Sequence, residues 1–132
     1  MKVVRSSLHS LIVICLLVAV LISIPSFKAF AQAPKKMGDV FSKANSNQIL
    51  LDIEAALARA QVKLGIIPQS AADEINRKAN IKYLPEEDLA KEEKKVGHPM
   101  VAIINVWSKH MDGNAGEFIH YGATTQDIYD TS

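Results

Sequence analysis

The chain has 132 residues and a formal net charge of +1, from 15 basic and 14 acidic side chains, a length that accommodates one small domain. Its first 31 residues hold three of the basic side chains and none of the acidic ones, so the remainder is slightly acidic and has no basic stripe with which to meet nucleic acid. The single cysteine, Cys15, excludes an intramolecular disulfide and leaves no cysteine-based metal site.

Lys2 and Arg5 make a basic start, residues 11–24 are apolar apart from Ser23, and Ala29-Phe30-Ala31 precedes Gln32. Basic start, apolar core and small-x-small site in that order predict a secretory signal peptide over residues 1–31 and a periplasmic or secreted protein. The span 6–27 lacks charge and its 22 residues would cross a bilayer, so an uncleaved anchor is the alternative. Translation from Met37 would instead leave the protein in the cytoplasm. Residues 32–45 are polar and aperiodic, and are expected to be a leader into a domain over residues 46–132.

From Ile49 the pattern becomes helical. Ile49, Ile53, Leu57, Ala60 and Leu64 recur every three or four positions as one apolar stripe, with Asp52, Arg59 and Lys63 off it. Gly65 and Pro68 stop that helix. Ser70 with Asp73 predicts a capped start for a short helix through Ile75 and Ala79, ending near Asn80. Pro85 followed by Glu86, Glu87 and Asp88 predicts a solvated surface helix closing on Lys94 and Lys95 before Gly97. Pro99 opens a more apolar helix with Met100, Ile103, Ile104, Trp107 and Met111 on its core face, halted by Asp112-Gly113-Asn114. Glu117 to Tyr121 is expected to be extended.

The final segment, Gly116-Glu117-Phe118-Ile119-His120-Tyr121-Gly122-Ala123-Thr124-Thr125-Gln126-Asp127, carries the chemistry. Thr124 followed three residues later by Asp127 is a capping box that opens a last helix, with Ile128 its only aliphatic residue beyond the cap. Amides at a helix start lack intrahelical partners and carry the positive end of the dipole, so a carboxylate or phosphate is the natural guest. The Thr125 hydroxyl and His120 would add donors. His110 lies at a helix end among Lys109, Met111 and Asp112 and reads as structural. His98, His110 and His120 lack the spacing of a zinc site, so no metal is expected.

The run from His120 to Asp127 resembles the His-x-Gly-x-Thr-Ser/Thr-x-Asp block of the fumarase/aspartase superfamily, most closely the branch of adenylosuccinate lyase and 3-carboxymuconate cycloisomerase. LLDIEAALARAQVKLGIIP, residues 50–68, resembles the opening helix of that branch, and His98-Pro99 follows at the matching distance. Met37-Gly38-Asp39 resembles the way its cytoplasmic members begin. The resemblance covers about residues 37–132 and implies an all-α fold, specifically an N-terminal helical domain whose companion central bundle is absent from this chain. It implies a β-elimination that releases fumarate or an analogue, a homotetramer for a full-length enzyme, and no cofactor. It assigns His98 and His120 to catalysis, and Thr124, Thr125 and Gln126 to binding a small anionic di- or tricarboxylate.

Two departures bear on substrate. Thr125 stands where a serine is usual, and residues 42–48 lack the Arg-Tyr pair that adenylosuccinate lyases tend to carry for the nucleotide phosphate; the second favours a cycloisomerase-like alternative. An exported leader also argues against purine synthesis. The Gly-Ser-Ser-x-Met-Pro loop that carries the superfamily's catalytic base does not occur in the sequence, so the 132-residue chain is expected to have no turnover. A secreted helical binding module without catalysis is the third reading.

Overall fold

A computed structural model of the chain describes residues 36–132. The expected signal peptide, Cys15 and the first part of the leader lie outside the described residues. Where the leader was expected to be aperiodic, the chain is already helical: α1 spans Met37–Val40 and α2 Lys43–Lys63. Ser42 supplies the start signal for α2, its hydroxyl accepting from Asn45 N–H at 3.2 Å.

α2 buries Asn47, Leu50, Leu51, Glu54, Ala55, Ala58 and Gln61. This corrects the expected stripe, because Ile49 and Leu64 are exposed, Ala60 is exposed, and Ile53 and Leu57 are only half-buried. The true core face runs one residue further along, a rotation of about 100° around the helix axis. Both faces satisfy helical periodicity; the one chosen includes two polar side chains whose partners come from the far end of the chain. α2 ends as expected at Gly65, φ 68, with Ile66 N–H donating to Gln61 O and Gly65 N–H to Val62 O, both at 2.9 Å. That pair of bonds is a Schellman motif, which needs the left-handed conformation a glycine adopts without strain.

α3 spans Gln69–Arg77 and is entered from Pro68, so Ser70 lies inside the helix and is not its cap. It also stops earlier than expected. Lys78 ends it, and Asn80 caps a 3-10 turn over Ile81–Tyr83 by accepting from Lys82 N–H at 3.0 Å. α4, Glu86–Val96, carries Glu86, Glu87 and Asp88 in its first turn and Lys94 and Lys95 in its last, complementing the helix dipole. Gly97 closes it at φ 70. α5, Pro99–Ser108, follows from His98. Its core face matches the expectation: Met100 and Trp107 have no exposed surface, Ile103 is buried, and Ile104 and Met111 pack from the edge.

The segment expected to be extended is instead a second 3-10 turn, Ala115–Phe118, followed by a tight turn. α6 spans Thr125–Thr131 from Thr124, and no strand occurs among the described residues, in keeping with an all-α fold. α2 packs against α3 and α6, α4 packs against α5, and the second 3-10 turn lies on α3 and α5. The core joins Leu51 of α2, Ile75 of α3, and Met100 and Trp107 of α5 to Ile119 and Ile128 from the last segment. The Trp107 indole N–H donates to Lys78 O at 2.7 Å, satisfying the one polar group of that buried side chain. No helix among the described residues is long and apolar enough to cross a membrane.

Candidate anion site at the final helix

The capping box expected at Thr124 is present. The Thr124 hydroxyl accepts from Asp127 N–H at 3.3 Å, and the Asp127 carboxylate accepts Thr124 N–H and the Thr124 hydroxyl, each at 2.8 Å. These bonds, the backbone one foremost, lower the Asp127 pKa, with the His120 charge adding in the same direction against a small cost of burial. The helix start therefore already holds one carboxylate. Of the groups named from sequence, Thr124 is engaged by Asp127, and the exposed Gln126 amide donates to Asp130 at 2.5 Å. Thr125 is half-buried, and its hydroxyl and amide are left without a partner among the described residues.

His120 is held from the opposite side. Its backbone N–H donates to Glu54 Oε2 at 3.0 Å, and its Nδ1 lies 2.6 Å from Glu54 Oε1. The Glu54 side chain is 2% exposed and that of His120 15%, so the contact is sealed at the Glu54 end and open at the imidazole end. Nε2 has no hydrogen-bond partner among the described residues. His120 also has φ 60, the left-handed region that few non-glycine residues occupy, histidine being among the more tolerant. One residue on, Tyr121 O accepts from Gln61 Nε2 at 2.6 Å. Gln61 and Glu54 thus clasp consecutive residues of the turn from neighbouring positions on the buried face of α2.

Neither residue was identified from sequence. The available signal was two polar side chains seven positions apart on a face that otherwise holds Asn47, Leu50, Leu51, Ala55 and Ala58, and it becomes visible only once the correct face is known. Gln61 Oε1 is buried with no hydrogen-bond partner among the described residues, an uncompensated acceptor beside the turn.

His98 is not brought into this group by any bond. It is exposed at the start of α5, where its side chain makes no capping bond. His110 is half-buried, its ring centroid 5.7 Å from that of Tyr83 and its carbonyl accepting from Lys78 Nζ. No cluster of three metal-ligating side chains occurs among the described residues. A cavity of about 250 Å³ between α2 and α4 is lined by Lys43, Asn47, Ile81, Leu84 and Leu89 among others and includes none of residues 120–127. Its lining is largely apolar, whereas segment 120–127 carries an imidazole nitrogen, an amide and a hydroxyl without hydrogen-bond partners among the described residues.

The helical fold together with this histidine, glycine, threonine and aspartate block defines the class: the chain belongs to the fumarase/aspartase superfamily. No family model matches the chain. It is 46% identical over 97 residues to the adenylosuccinate lyase of Methanocaldococcus jannaschii, an overlap covering 74% of this chain and 21% of that protein. Its fold is similar to the crystal structure of fumarate lyase from Mesorhizobium sp. BNC1, with a TM-score of 0.62 and 42% identity, covering 71% of this chain and 22% of the other. It is similar also to β-carboxy-cis,cis-muconate cycloisomerase from Acinetobacter calcoaceticus, with a TM-score of 0.59, 32% identity and coverage of 70% and 23%. The chain thus spans about a fifth of the length of the relatives it matches.

Proposed function

We propose that residues 36–132 supply one wall of a carboxylate site in an adenylosuccinate lyase-like enzyme that eliminates fumarate or an analogue. The observation that carries this reading is that within the eight positions 120–127 an imidazole nitrogen and the hydroxyl and amide of Thr125 are all left without a hydrogen-bond partner among the described residues. Donors pre-aimed at developing negative charge are what the aci-carboxylate intermediate of such an elimination requires, each typically contributing a factor of about 100 to 1000. The Thr125 hydroxyl and the backbone amides of Thr125 and Gln126 would donate to the substrate carboxylate, and His120 would contact the substrate through Nε2; Thr124 shapes the turn. His98 would join them near the leaving group from the start of α5.

In this reading the 132-residue chain binds weakly and does not turn over, because no segment of it carries the serine loop. The assembled enzyme is a homotetramer, and the leader exports it. Titrating the isotope-labelled chain with fumarate tests the site. Shifts confined to the amides of Thr125 and Gln126 and the His120 ring are expected; an unperturbed 120–127 segment at millimolar fumarate refutes it. Fumarate release from adenylosuccinate by the purified chain would refute the absence of turnover.

A second reading, cycloisomerase-like chemistry on a tricarboxylate, is favoured by the lack of an Arg-Tyr pair in residues 42–48. Competition separates the two. Displacement of fumarate by a purine nucleotide supports the first, and displacement by a tricarboxylate supports the second.

A further inference from the structure

Glu54 is the one acidic side chain of α2 that the fold buries, and both of its oxygens face a single residue. We propose that Glu54 is a positioning residue that fixes the tautomer of His120, placing the proton on Nδ1 and leaving Nε2 bare toward the ligand in the neutral ring. This deepens the lyase reading and rests on it for the identity of the ligand, although the tautomer itself does not.

An ionised glutamate only accepts hydrogen bonds. Oε2 takes the His120 backbone N–H at 3.0 Å, and Oε1 stands 2.6 Å from Nδ1 in a contact whose Glu54 end is sealed from solvent. Facing an ionised Glu54, Nδ1 donates, and a neutral imidazole that donates through Nδ1 has only a lone pair at Nε2. The backbone bond matters as much as the ring bond, because it seats the turn in its left-handed conformation and so aims the ring. Gln61 on the same face of α2 holds the following carbonyl and prevents the turn from rotating away. The acidic groups acting on the ring are Glu54 from α2 and, through space, Asp127 from α6.

The chemical consequence differs from that of a simple donor. In its neutral form His120 receives a proton or a hydrogen bond from the ligand at Nε2, and only the imidazolium can grip a carboxylate there. The role is thus that of an acceptor poised beside a leaving group or acid, with Thr125 and the helix-start amides left to bind the anion.

Glu54→Gln makes the test sharp. The His120 backbone N–H is an obligatory donor, so it captures the one carboxamide oxygen, and the carboxamide NH2 is turned against Nδ1. Nδ1 must then accept, and the proton moves to Nε2. The full chain labelled with ring nitrogen-15 histidine reports which nitrogen carries hydrogen, and His120→Asn identifies the signal. The expected result is Nδ1–H in the parent and Nε2–H in E54Q, with the remaining amide spectrum unchanged. An Nε2–H ring in the parent overturns the proposal, as does an Nδ1–H ring that persists in folded E54Q. If E54Q fails to fold, the parent spectrum still decides, since Nδ1–H there supports the proposal and Nε2–H refutes it. Fumarate added to the same parent sample separates this inference from the lyase reading. A Nδ1–H ring indifferent to fumarate upholds the positioning role and counts against the carboxylate site. A responsive ring protonated at Nε2 does the reverse.

Discussion

His120 occupies a backbone conformation that costs a non-glycine residue on the order of 1–3 kcal/mol, and the contacts that hold it there come from a helix 66 residues earlier in the chain. Glu54 takes its amide and ring, Gln61 takes the next carbonyl, and the capping box at Thr124 fixes the other end of the turn. Replacing Thr124 by Ala removes the acceptor for Asp127 N–H. A loss of roughly 0.5–2 kcal/mol in unfolding free energy is expected, readable as a lower urea midpoint with faster amide exchange confined to α6. Thr124 and Asp127 could be read together because a capping box is a local pattern complete within four positions, whereas the turn at His120, expected to be extended, could not. Glu54 could not, since a glutamate on a helix is ordinarily solvated and nothing near it in sequence announces a buried partner.

At the scale of elements, the question for α2 is which face the fold buries. Leu51 has no exposed surface, while Leu64, on the stripe expected from periodicity, is 75% exposed. Leu51→Ala should cost about 2–5 kcal/mol through lost burial and the cavity left behind, whereas Leu64→Ala should stay within about 0.5 kcal/mol of the parent. Thermal melts of the two variants check this, and equal losses would restore the stripe read from sequence. The α5 face was legible because Met100, Ile103 and Trp107 are large and apolar with few competing assignments. In α2 small alanines lie on every side, so the apolar pattern has little angular contrast. The start of α3 was misplaced for a related reason: Ser70 and Asp73 have the spacing of a cap, but Pro68 already sets the extended entry from which Gln69 begins the helix.

Across the whole molecule, one charged cluster ties α3 to the loop after α5. Glu74 accepts from Lys78 at 2.8 Å, from Arg77 at 2.5 Å and from Asp112 N–H at 3.0 Å, and Arg77 reaches Asp112 at 2.8 Å. Burial pushes the Glu74 carboxyl up, but the Lys78, Asp112 and Arg77 hydrogen bonds outweigh it and lower its pKa from 4.5 to about 2. A carboxyl whose folded pKa is depressed contributes stability above its unfolded value and loses it as pH falls through the folded one. The chain is accordingly expected to melt at progressively lower temperature from pH near 4.5 down to about 2, and Glu74→Gln should flatten that part of the profile. Calorimetry of both proteins over this range is the check. Phe41, Leu64 and Met37 are 79%, 75% and 72% exposed, a large apolar surface for so small a domain. Light scattering is expected to show concentration-dependent association of the 132-residue chain; a strictly monomeric sample at high concentration would contradict this.

By itself the sequence determined the helical class, the stops at Gly65 and Gly97, the core face of α5 and the capped turn at Thr124, because each depends on dihedral preferences and spacing within a few residues. Only the tertiary structure decided which side of α2 faces inward, and that Glu54 and Gln61 reach the turn at His120 and Tyr121. A buried polar group is tolerated only where a partner meets it, and these partners lie some sixty residues further along the chain, a distance over which no local pattern carries information.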